Sequence, residues 1–578
     1  MYPPIKLLTF LRKEYYIRLA LAFLLMTLSG FADLLSLAVV VPFLEILTNP
    51  SEALTVSIPS LIPFSNEINN ENSLRLYITI LFCATISISG LLRIFTIKFN
   101  TYQIALVSAY LSRKTFNSAI SIPYSLHKEI SSSRILSVIS IKMPRVNRAL
   151  VCFLQLINAS ILILSLIIGL LLISKWITIA AILFFISVYL LIGFKTKKIL
   201  KRFSQMNSIM LNKQAQIIQE SYKSAREILL KSNQIFYTNY FYKNELSLQK
   251  FKAQTDFYGT FPRFALEPLG IIFIAIAGYF LIVINGNSSD KGIAILGAFA
   301  LGSQRLLPAL QQIYSSWALI KARSKEILDV VEVLEYPKEK LFPKTKKINL
   351  DKITCDNIYF SYKSQDVLNG INLEINIGDF IGIKGKTGGG KSTLMDIILG
   401  LTKPTKGNLF INKENIYEKN KSKFLVKWRG SISSVPQNIF LIDASFAENI
   451  ALGVPLEQIN YAKVVKAAKI ACIDDFINSK ANAYKEYIGE NGIKLSGGQK
   501  QRIGIARAFY NDPKYLILDE STSALDEITE TKVFENIKQY NDGNLTIIMI
   551  SHKESTLSYC DKVYILNNGK LNKLNPHK

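Results

Sequence analysis

The chain has 578 residues, of which 49% are apolar, and it carries a formal net charge of +25. Its mean hydropathy of +0.23 is too high for an ordinary soluble enzyme, so part of the chain is expected to lie in lipid. A nucleic-acid-binding function is not expected, because the basic residues have few aromatic partners and no recognition motif accompanies them. The five cysteines show no CxxC spacing, which indicates neither a disulfide framework nor a cysteine-ligated metal.

The first part of the chain contains six apolar runs, each near the ~20 residues that cross a bilayer as a helix. They lie at about 17–48, 74–100, 149–173, 176–197, 264–285 and 291–316. Basic residues precede the first run, but it is too long for a signal peptide and lacks a small-residue cleavage site. We therefore predict six retained membrane-spanning helices.

The charges between these runs predict their orientation. Residues 49–73 contain no Lys or Arg and three Glu, whereas 101–148 contain seven basic residues and 195–263 contain many more. Because Lys and Arg in short connections stay on the cytoplasmic side, the two basic segments are expected inside and 49–73 outside. The prediction is a multi-pass protein of the cytoplasmic membrane with both termini in the cytoplasm.

A glycine-rich stretch, "GKTGGGKST", follows a strand-like segment and precedes a helix-like one. It fits the P-loop pattern, in which backbone N–H groups cradle phosphate oxygens. Lys391 is expected to reach the β- and γ-phosphates of ATP, and Ser392 to ligate Mg²⁺. The predicted ATP-binding residues of this stretch are Gly385, Lys386, Thr387, Gly388, Gly389, Gly390, Lys391, Ser392 and Thr393.

The segment "KYLILDE" is a hydrophobic strand that ends in two adjacent carboxylates. Placed after a P-loop, this pair predicts a metal site and a general base. Asp519 is expected to hold Mg²⁺, and Glu520 to polarise the attacking water. The sequence therefore predicts an ATP hydrolase.

At residues 494–502 the sequence "KLSGGQKQR" resembles the signature motif of ATP-binding cassette (ABC) ATPases. The resemblance implies that this segment closes over ATP held by another cassette, so that a chain with one P-loop forms a dimer, here expected to be a homodimer. It also implies an adenine-stacking tyrosine, a glutamine near Mg²⁺, a dimer-interface aspartate and a histidine that contacts the γ-phosphate. The residues that match are Ser496, Gly497, Gly498, Gln499, Tyr362, Gln437, Asp526 and, as the second catalytic residue, His552.

Six spans followed by one cassette resemble a half-transporter of the ABC exporter type. The implied fold is a membrane α-helical domain with six transmembrane helices, followed by an α/β P-loop cassette domain. We place the membrane domain at 1–330, a linker at 331–350 and the cassette at 351–578. Short coupling helices that dock on cassettes are expected near 121–129 and 219–227, at the tips of helical extensions of the spans.

Arginines within the spans are candidates for the substrate site, since an ionised side chain in the bilayer is costly unless paired or wetted. They are Arg93, Arg263 and Arg305. Guanidinium groups that converge on a cavity would suit an anionic ligand. Asp33 and Glu267 could instead pair with these arginines and make them structural, and the sequence leaves both alternatives open.

Three stretches, at 31–43, 262–270 and 305–313, resemble the PglK-type flippases of lipid-linked oligosaccharides. The resemblance implies a polyprenyl-pyrophosphate saccharide as substrate, although Gln312 stands where a further arginine is expected. It also implies an external helix within 51–73, which Pro59 and Pro63 reduce to a short one after Pro63. The main alternative is an exporter of lipids or hydrophobic drugs. A peptide exporter is less expected, because no extra domain precedes the first span. A non-transporting ATP sensor is also less expected, because Glu520 is intact.

Overall fold

The computed structural model describes residues 3–48, 71–285, 289–339, 351–362, 365–418, 422–540 and 544–574, without the side chains at 48, 274, 277 and 280–296. The predicted external helix after Pro63 therefore lies outside the described residues. The chain forms two compact units. The first comprises Met1–Ile122 and Glu129–Pro337, and the second comprises Pro123–Lys128 and Lys338–Lys578.

The first unit is helical throughout its described length. Its helices, together with the short α5 that lies mostly in the second unit, are α1 Pro3–Leu8, α2 Lys13–Ala38, α3 Val40–Thr48, α4 Glu71–Ile120, α5 Tyr124–Glu129, α6 Ser132–Leu136, α7 Met143–Ile173, α8 Lys175–Lys223, α9 Ala225–Leu230, α10 Gln234–Asn285, α11 Ser289–Ala322 and α12 Ser324–Glu335. A π-helical turn, Ser137–Lys142, joins α6 to α7.

Four segments of the described chain are long and apolar enough to cross a membrane: Lys13–Leu47, Glu71–Ile120, Ser132–Ile173 and Lys175–Lys223. They contain the first four predicted spans. The fifth and sixth predicted spans lie within α10 and α11. The basic extensions predicted for the cytoplasmic segments are helical, since α4 and α8 continue without a break for 50 and 49 residues.

Helix α12 begins before the predicted linker and continues past its expected start at residue 331. The reason is hydrophobic burial, because Val330, Val331 and Val333 are each at most 1% exposed in the core of the first unit. Its polar side chains form a series of ion pairs at three-residue spacing. The pairs are Glu326–Arg145 at 3.3 Å, Asp329–Lys142 at 2.6 Å, Glu332–Arg134 at 2.7 Å and Glu335–Lys6 at 2.8 Å.

The second unit contains two sheets. Their strands are β1 Lys352–Tyr362, β2 Gln365–Asn376, β3 Phe380–Lys384, β4 Lys406–Ile411, β5 Glu414–Asn415, β6 Ile432–Val435, β7 Tyr515–Asp519, β8 Thr546–Ile550, β9 Lys562–Asn567 and β10 Lys570–Lys573. The four-stranded antiparallel sheet has the order β2-β1-β4-β5, and the six-stranded sheet has the order β10-β9-β3-β8-β7-β6. This is the α/β cassette that the sequence predicts.

Helices cover the larger sheet of this unit. They are α13 Lys391–Ile398, α14 Ser422–Arg429, α15 Phe446–Ile450, α16 Tyr461–Ile470, α17 Asp474–Asn478, α18 Gly497–Tyr510, α19 Glu527–Tyr540 and α20 Glu554–Leu557. Strands β3, β8 and β7 are adjacent and parallel, and their apolar side chains are buried. Ligand sites of such sheets lie outside the carboxyl ends of the strands. The P-loop, Glu520 and His552 all follow these ends.

Candidate functional site

The P-loop between β3 and α13 has a backbone that only glycine can adopt at two positions. A Cβ atom on Gly385 would lie 2.3 Å from the carbonyl oxygen of Leu566, so no side chain fits there. Gly390 has a φ of +94° and forms the N-cap of α13, in the left-handed region that favours glycine. The loop thus wraps closely around the start of α13, where N–H groups and the helix dipole favour an anion.

Lys391 lies with its ammonium group over this loop. Its Nζ donates to the carbonyl oxygens of Gly385 at 2.7 Å and Lys386 at 3.1 Å, and it lies 3.3 Å from Nε2 of His552. The side chain of Lys386, in contrast, is exposed. Of the two lysines in this stretch, Lys391 is therefore the one held over the loop, where the phosphates of ATP are predicted to bind.

Of the three residues predicted at the Mg²⁺ site, Ser392 in the first turn of α13 and Asp519 at the end of β7 lie together, and Gln437 bonds to the neighbouring Glu520. The hydroxyl of Ser392 bonds to Asp519, and burial together with the neighbouring Glu520 charge raises the pKa of the Asp519 carboxyl. Mg²⁺ prefers such hard oxygen ligands and takes its remaining ligands from phosphates and water. A bound divalent cation would also stabilise the ionised form of Asp519. The residues present therefore fit Mg²⁺.

Glu520 is held in a conformation that is uncommon for residues other than glycine. Its φ is +47°, and its N–H donates to the carbonyl oxygen of Ile550 at 3.1 Å. Its carboxylate lies between Gln437, whose Nε2 donates at 2.7 Å, and Nε2 of His552 at 3.2 Å. The structure thus brings the predicted general base, glutamine and histidine together, with Gln437 bonded to the base.

His552 has one ring nitrogen near two groups of opposite charge. Nε2 lies 3.3 Å from the ammonium of Lys391 and 3.2 Å from the carboxylate of Glu520. A single nitrogen accepts from the lysine or donates to the glutamate, but it cannot do both. The tautomer of His552 therefore determines which of these two groups it binds.

The signature motif forms the start of α18. Ser496 and Gln499 make a reciprocal capping box, with the Ser496 hydroxyl accepting from the Gln499 N–H and the Gln499 side chain accepting from the Ser496 N–H. A residue that the sequence analysis missed, the buried Gln501, bonds both Ser523 and Ala524 in the following loop. The exposed Ser496 and Gly497 are thereby fixed relative to this loop.

Two further predicted ATP residues lie at the surface of the unit. Asp526 caps α19, because its carboxylate accepts from the Thr529 N–H at 2.9 Å, and this bond lowers the pKa of the Asp526 carboxyl. Tyr362 at the end of β1 is 41% exposed and packs edge-on against Phe360. An exposed ring is free to stack on adenine, so the adenine prediction for Tyr362 stands as an expectation.

The segment 123–128, predicted to contain a coupling helix, packs within the second unit. Nζ of Lys128 lies 2.6 Å from Oδ2 of Asp396, on the helix that begins with Lys391, and 3.4 Å from the hydroxyl of Tyr362. A cavity of about 460 Å³ is lined by Lys128 and Asp396 and also by Ser392 and Asp519. Lys128 thus contacts the surroundings of the predicted Mg²⁺ site, which the sequence analysis did not predict.

Replacing Lys128 with Met is expected to lower the Mg²⁺ concentration needed for half-maximal ATP hydrolysis by about threefold to tenfold. The reason is electrostatic, because loss of the Lys128 ammonium leaves the Asp396 carboxylate without this cationic partner beside Ser392 and Asp519, and a more negative site attracts a divalent cation more strongly. The measurement is phosphate release as a function of free Mg²⁺. The double variant Lys128→Met/Asp396→Asn should regain the normal requirement, and an unchanged requirement in the single variant would contradict the prediction.

In the first unit, two of the three candidate arginines share one buried carboxylate. Asp33 is 1% exposed and accepts from Nη2 of Arg93 at 2.9 and 3.0 Å, and Nη1 of Arg305 lies 3.4 Å away. Ser89 donates to the same carboxylate at 2.6 Å, and Arg305 donates to the Ser36 hydroxyl at 2.7 Å. The internal pairing considered for Arg93 and Arg305 is thus present.

Arg263 is not part of this cluster. It is exposed, and its Nε lies 3.8 Å from Glu267 one helical turn away. Its guanidinium also lies 5.9 Å from the ring of Phe264. The pairing with Glu267 that the sequence left open for Arg263 is thus present, and its contact with substrate stays a prediction.

A cavity of about 380 Å³ adjoins the Asp33 cluster. Among the described residues that line it, Arg93 and Arg305 are the charged ones. Its remaining polar lining is rich in amides, and Gln312 donates to the Gln155 side chain at 3.1 Å. The lining amides are Asn100, Gln155, Asn158, Gln304 and Gln312. Gln312 thus lines the same cavity as the two arginines.

Comparison with known families agrees with this architecture. Residues 19–305 match the family described as "ABC transporter transmembrane region", and residues 368–523 match the family described as "ABC transporter". The chain belongs to the ABC transporter family, as a half-transporter of the exporter type with an ATP-hydrolysing cassette. ATP and Mg²⁺ are the ligands of such cassettes.

Individual relatives include two toxin transporters. The alpha-hemolysin translocation ATP-binding protein HlyB of Proteus vulgaris is 36% identical over 301 residues, which is 50% of this chain and 41% of that protein. The leukotoxin translocation ATP-binding protein LktB of Mannheimia haemolytica is 35% identical over 294 residues, 49% of this chain and 40% of that protein. The chain thus aligns with about two fifths of the length of these relatives.

A solved structure of similar fold is described as a bacterial Atm1-family ABC exporter with ATP bound. It superimposes with a TM-score of 0.79 at 20% sequence identity, covering 96% of this chain and 94% of that one. At this identity the likeness concerns the fold alone. None of these descriptions mentions a lipid-linked oligosaccharide, so the substrate of this chain stays a prediction.

Proposed function

We propose that two copies of this chain form an exporter in the cytoplasmic membrane that uses ATP hydrolysis to flip a lipid-linked oligosaccharide or a related polyprenyl-pyrophosphate saccharide. The observation that carries the substrate proposal is the cavity of the first unit. There, Arg93 and Arg305 share the single carboxylate of Asp33 and face a set of amide side chains. A phosphate-bearing saccharide matches both features of this lining.

The energy source follows from the second unit. Lys391 and the P-loop bind the phosphates, Ser392 and Asp519 hold Mg²⁺, and Glu520 orients the attacking water. Bound Mg²⁺ supplies stabilisation of the charge that develops on the phosphoryl oxygens. ATP binding favours one state of the transporter and hydrolysis returns the other, so the cavity opens alternately to the two sides.

The homodimer is supported by the signature motif. The chain carries one P-loop and one signature sequence. Among the described residues, no hydrogen bond joins 385–393 to 496–499. The exposed Ser496 and Gly497 at the start of α18 are available to a second cassette. Two copies would then form two composite ATP sites.

The orientation is supported by the basic segments 101–148 and 195–263, which favour the cytoplasmic side. This orientation places the cassette and both termini in the cytoplasm, where ATP is available. The direction of lipid movement that follows is from the cytoplasmic to the outer leaflet.

The chemistry of the substrate cavity supports a phosphorylated saccharide in two ways. Guanidinium groups present planar donors that match phosphate oxygens. Amide side chains both donate and accept hydrogen bonds, as the hydroxyl groups of a sugar do. A purely hydrophobic ligand would displace water from these polar groups without replacing its hydrogen bonds, which costs free energy.

The alternative, an exporter of lipids or hydrophobic drugs, is favoured by a different observation. A second cavity of about 180 Å³ in the first unit is lined almost wholly by apolar side chains, including Phe185, Phe273 and Leu307. A drug of this kind would use that cavity and would not need Arg305. The two functions are therefore separated by the consequence of removing this arginine.

The test is flipping of a fluorescent polyprenyl-pyrophosphate saccharide in sealed proteoliposomes. The wild type is expected to flip it with ATP, and Arg305→Ala to lose about tenfold or more of the flipping rate while it still hydrolyses ATP. Arg263→Ala is compared in parallel, because Arg263 does not line this cavity and its loss should reduce flipping less than the loss of Arg305. ATP hydrolysis by the wild type without flipping of this lipid would overturn the proposal in favour of the alternative.

A further inference from the structure

Asp33 has no free hydrogen-bonding capacity directed at a ligand. It is 1% exposed, and it accepts from Ser89, twice from Arg93 and, at longer range, from Arg305. A carboxylate so enclosed remains where it is when a ligand enters. Its effect on a ligand is therefore exerted through the two arginines and through its charge.

The two arginines are held unequally by this carboxylate. One guanidinium nitrogen of Arg93 reaches both oxygens of Asp33 at 2.9 and 3.0 Å. Arg305 is 3.4 Å from one oxygen, and its shorter bond, 2.7 Å, is to the neutral hydroxyl of Ser36. The negative charge of Asp33 thus offsets mainly the positive charge of Arg93. The positive charge of Arg305, which also faces the cavity, is offset less.

We propose that Asp33 is a specificity-determining residue, which limits the cavity to a net charge of one positive per chain and so sets the charge of the anionic headgroup that binds. This inference rests on the proposed function in taking the headgroup to be a phosphate or pyrophosphate. Neither the sequence motifs nor the family of the chain assigns such a role to Asp33.

The physical reason is that Coulomb energy scales with the product of the charges. Among the described lining residues, only Arg93 and Arg305 are charged. Neutralising Arg93, Arg305 or the adjoining Asp33 therefore changes the net charge at the cavity by one unit. A unit charge a few ångströms from a ligand at a partly wetted site changes affinity by about tenfold for each charge on the ligand. Pyrophosphate and monophosphate headgroups therefore respond differently to the same substitution.

The experiment compares the binding of farnesyl phosphate and farnesyl pyrophosphate to the purified full-length protein in detergent, with farnesol as the uncharged reference. The variants form a charge series in which Arg93→Gln removes one positive charge, Asp33→Asn adds one, and Asp33→Asn/Arg93→Gln restores the wild-type count. Ser89→Ala is the matched control, because it removes a bond to Asp33 without changing any charge. Thermal denaturation monitors the folding of each variant.

The inference is tested by the ratio of the dissociation constants of farnesyl phosphate and farnesyl pyrophosphate. Asp33→Asn is expected to shift this ratio about tenfold towards pyrophosphate, and Arg93→Gln about tenfold towards monophosphate. The double variant and Ser89→Ala should stay within about twofold of the wild type. If Asp33→Asn does not fold, the Arg93→Gln and double variants still decide between the outcomes.

A ratio that stays constant across the folded charge series would overturn the inference, as would a wild type that binds neither probe better than farnesol. Failure of the proposed function has a different signature. In that case the ratio follows the charge series, but the saccharide lipid is not flipped in proteoliposomes.

Discussion

Glu520→Gln is expected to lower the rate of ATP hydrolysis by about 10²- to 10⁴-fold, the range for loss of a general base. The substitution keeps the shape of the side chain and can keep the contact with the Gln437 amide, which donates to Oε2 at 2.7 Å. It removes the negative charge that polarises water and that faces His552 at 3.2 Å. Binding of ATP should persist, since Lys391 and the P-loop are unchanged. The measurements are phosphate release at saturating MgATP and binding of a fluorescent ATP analogue.

Glu554→Gln is a matched control for this variant. Glu554 is in the same unit and pairs with Lys384 at 3.0 Å, but its side chain is 86% exposed. Surface pairs of this kind contribute about 0–1 kcal/mol, so the control should hydrolyse ATP at nearly the normal rate. Retention of a third or more of the wild-type rate by Glu520→Gln would exclude Glu520 as the base.

Lys142→Met should be the most destabilising single substitution in the first unit that we predict. Lys142 is fully buried, and its Nζ donates to Asp329 at 2.6 Å and to Ser208 at 3.0 Å. Removing the buried ammonium leaves the half-exposed Lys325 and the Ser208 hydroxyl as partners of the Asp329 carboxylate, so the cost should be about 3 kcal/mol, at the lower end of the range for breaking a buried ion pair. The expected result is a clear decrease in the temperature of thermal unfolding of the detergent-purified protein.

Two further variants test the cause of this loss. Lys325→Met removes the other lysine that pairs with Asp329, but this lysine is 44% exposed, so the cost should stay below about 1 kcal/mol. Lys142→Met/Asp329→Leu removes both buried charges and should regain most of the stability, because well-packed apolar residues can replace a buried pair. Equal stability of Lys142→Met and the wild type would show that the pair does not contribute to the free energy of unfolding.

The local structure around the predicted nucleotide residues could be inferred from the sequence because each belongs to a short motif with its own local geometry. Gly385 lies where the neighbouring backbone leaves no space for a side chain, and Gly390 has a positive φ. Both requirements for glycine arise within one strand–loop–helix segment. The carboxylates at the end of β7 follow a run of apolar residues that reads as a buried strand. Local chemistry was sufficient in these cases.

The pairings in the first unit could not be predicted in the same way. Arg93 meets Asp33 across 60 residues, and Lys142 meets Asp329 across 187. Such contacts depend on the rotation and relative height of long helices, which apolar runs do not specify. Arg263 illustrates the difficulty, since the sequence groups it with Arg93, but it lies beside Glu267 and does not line the cavity. The contact of Lys128 with Asp396 is likewise tertiary.

The acidic residues of α12 have a geometric consequence. Glu326, Asp329, Glu332 and Glu335 are three positions apart, and a helix turns about 100° per residue. The four carboxylates are therefore distributed over about half of the circumference of α12. Their partners belong to α1, α6, α7 and the π-helical turn before it. Rotation of α12 about its axis, or its translation along that axis, would break several of these ion pairs at once. A one-residue insertion in α12 would turn the carboxylates that follow it by about 100° and separate them from their partners.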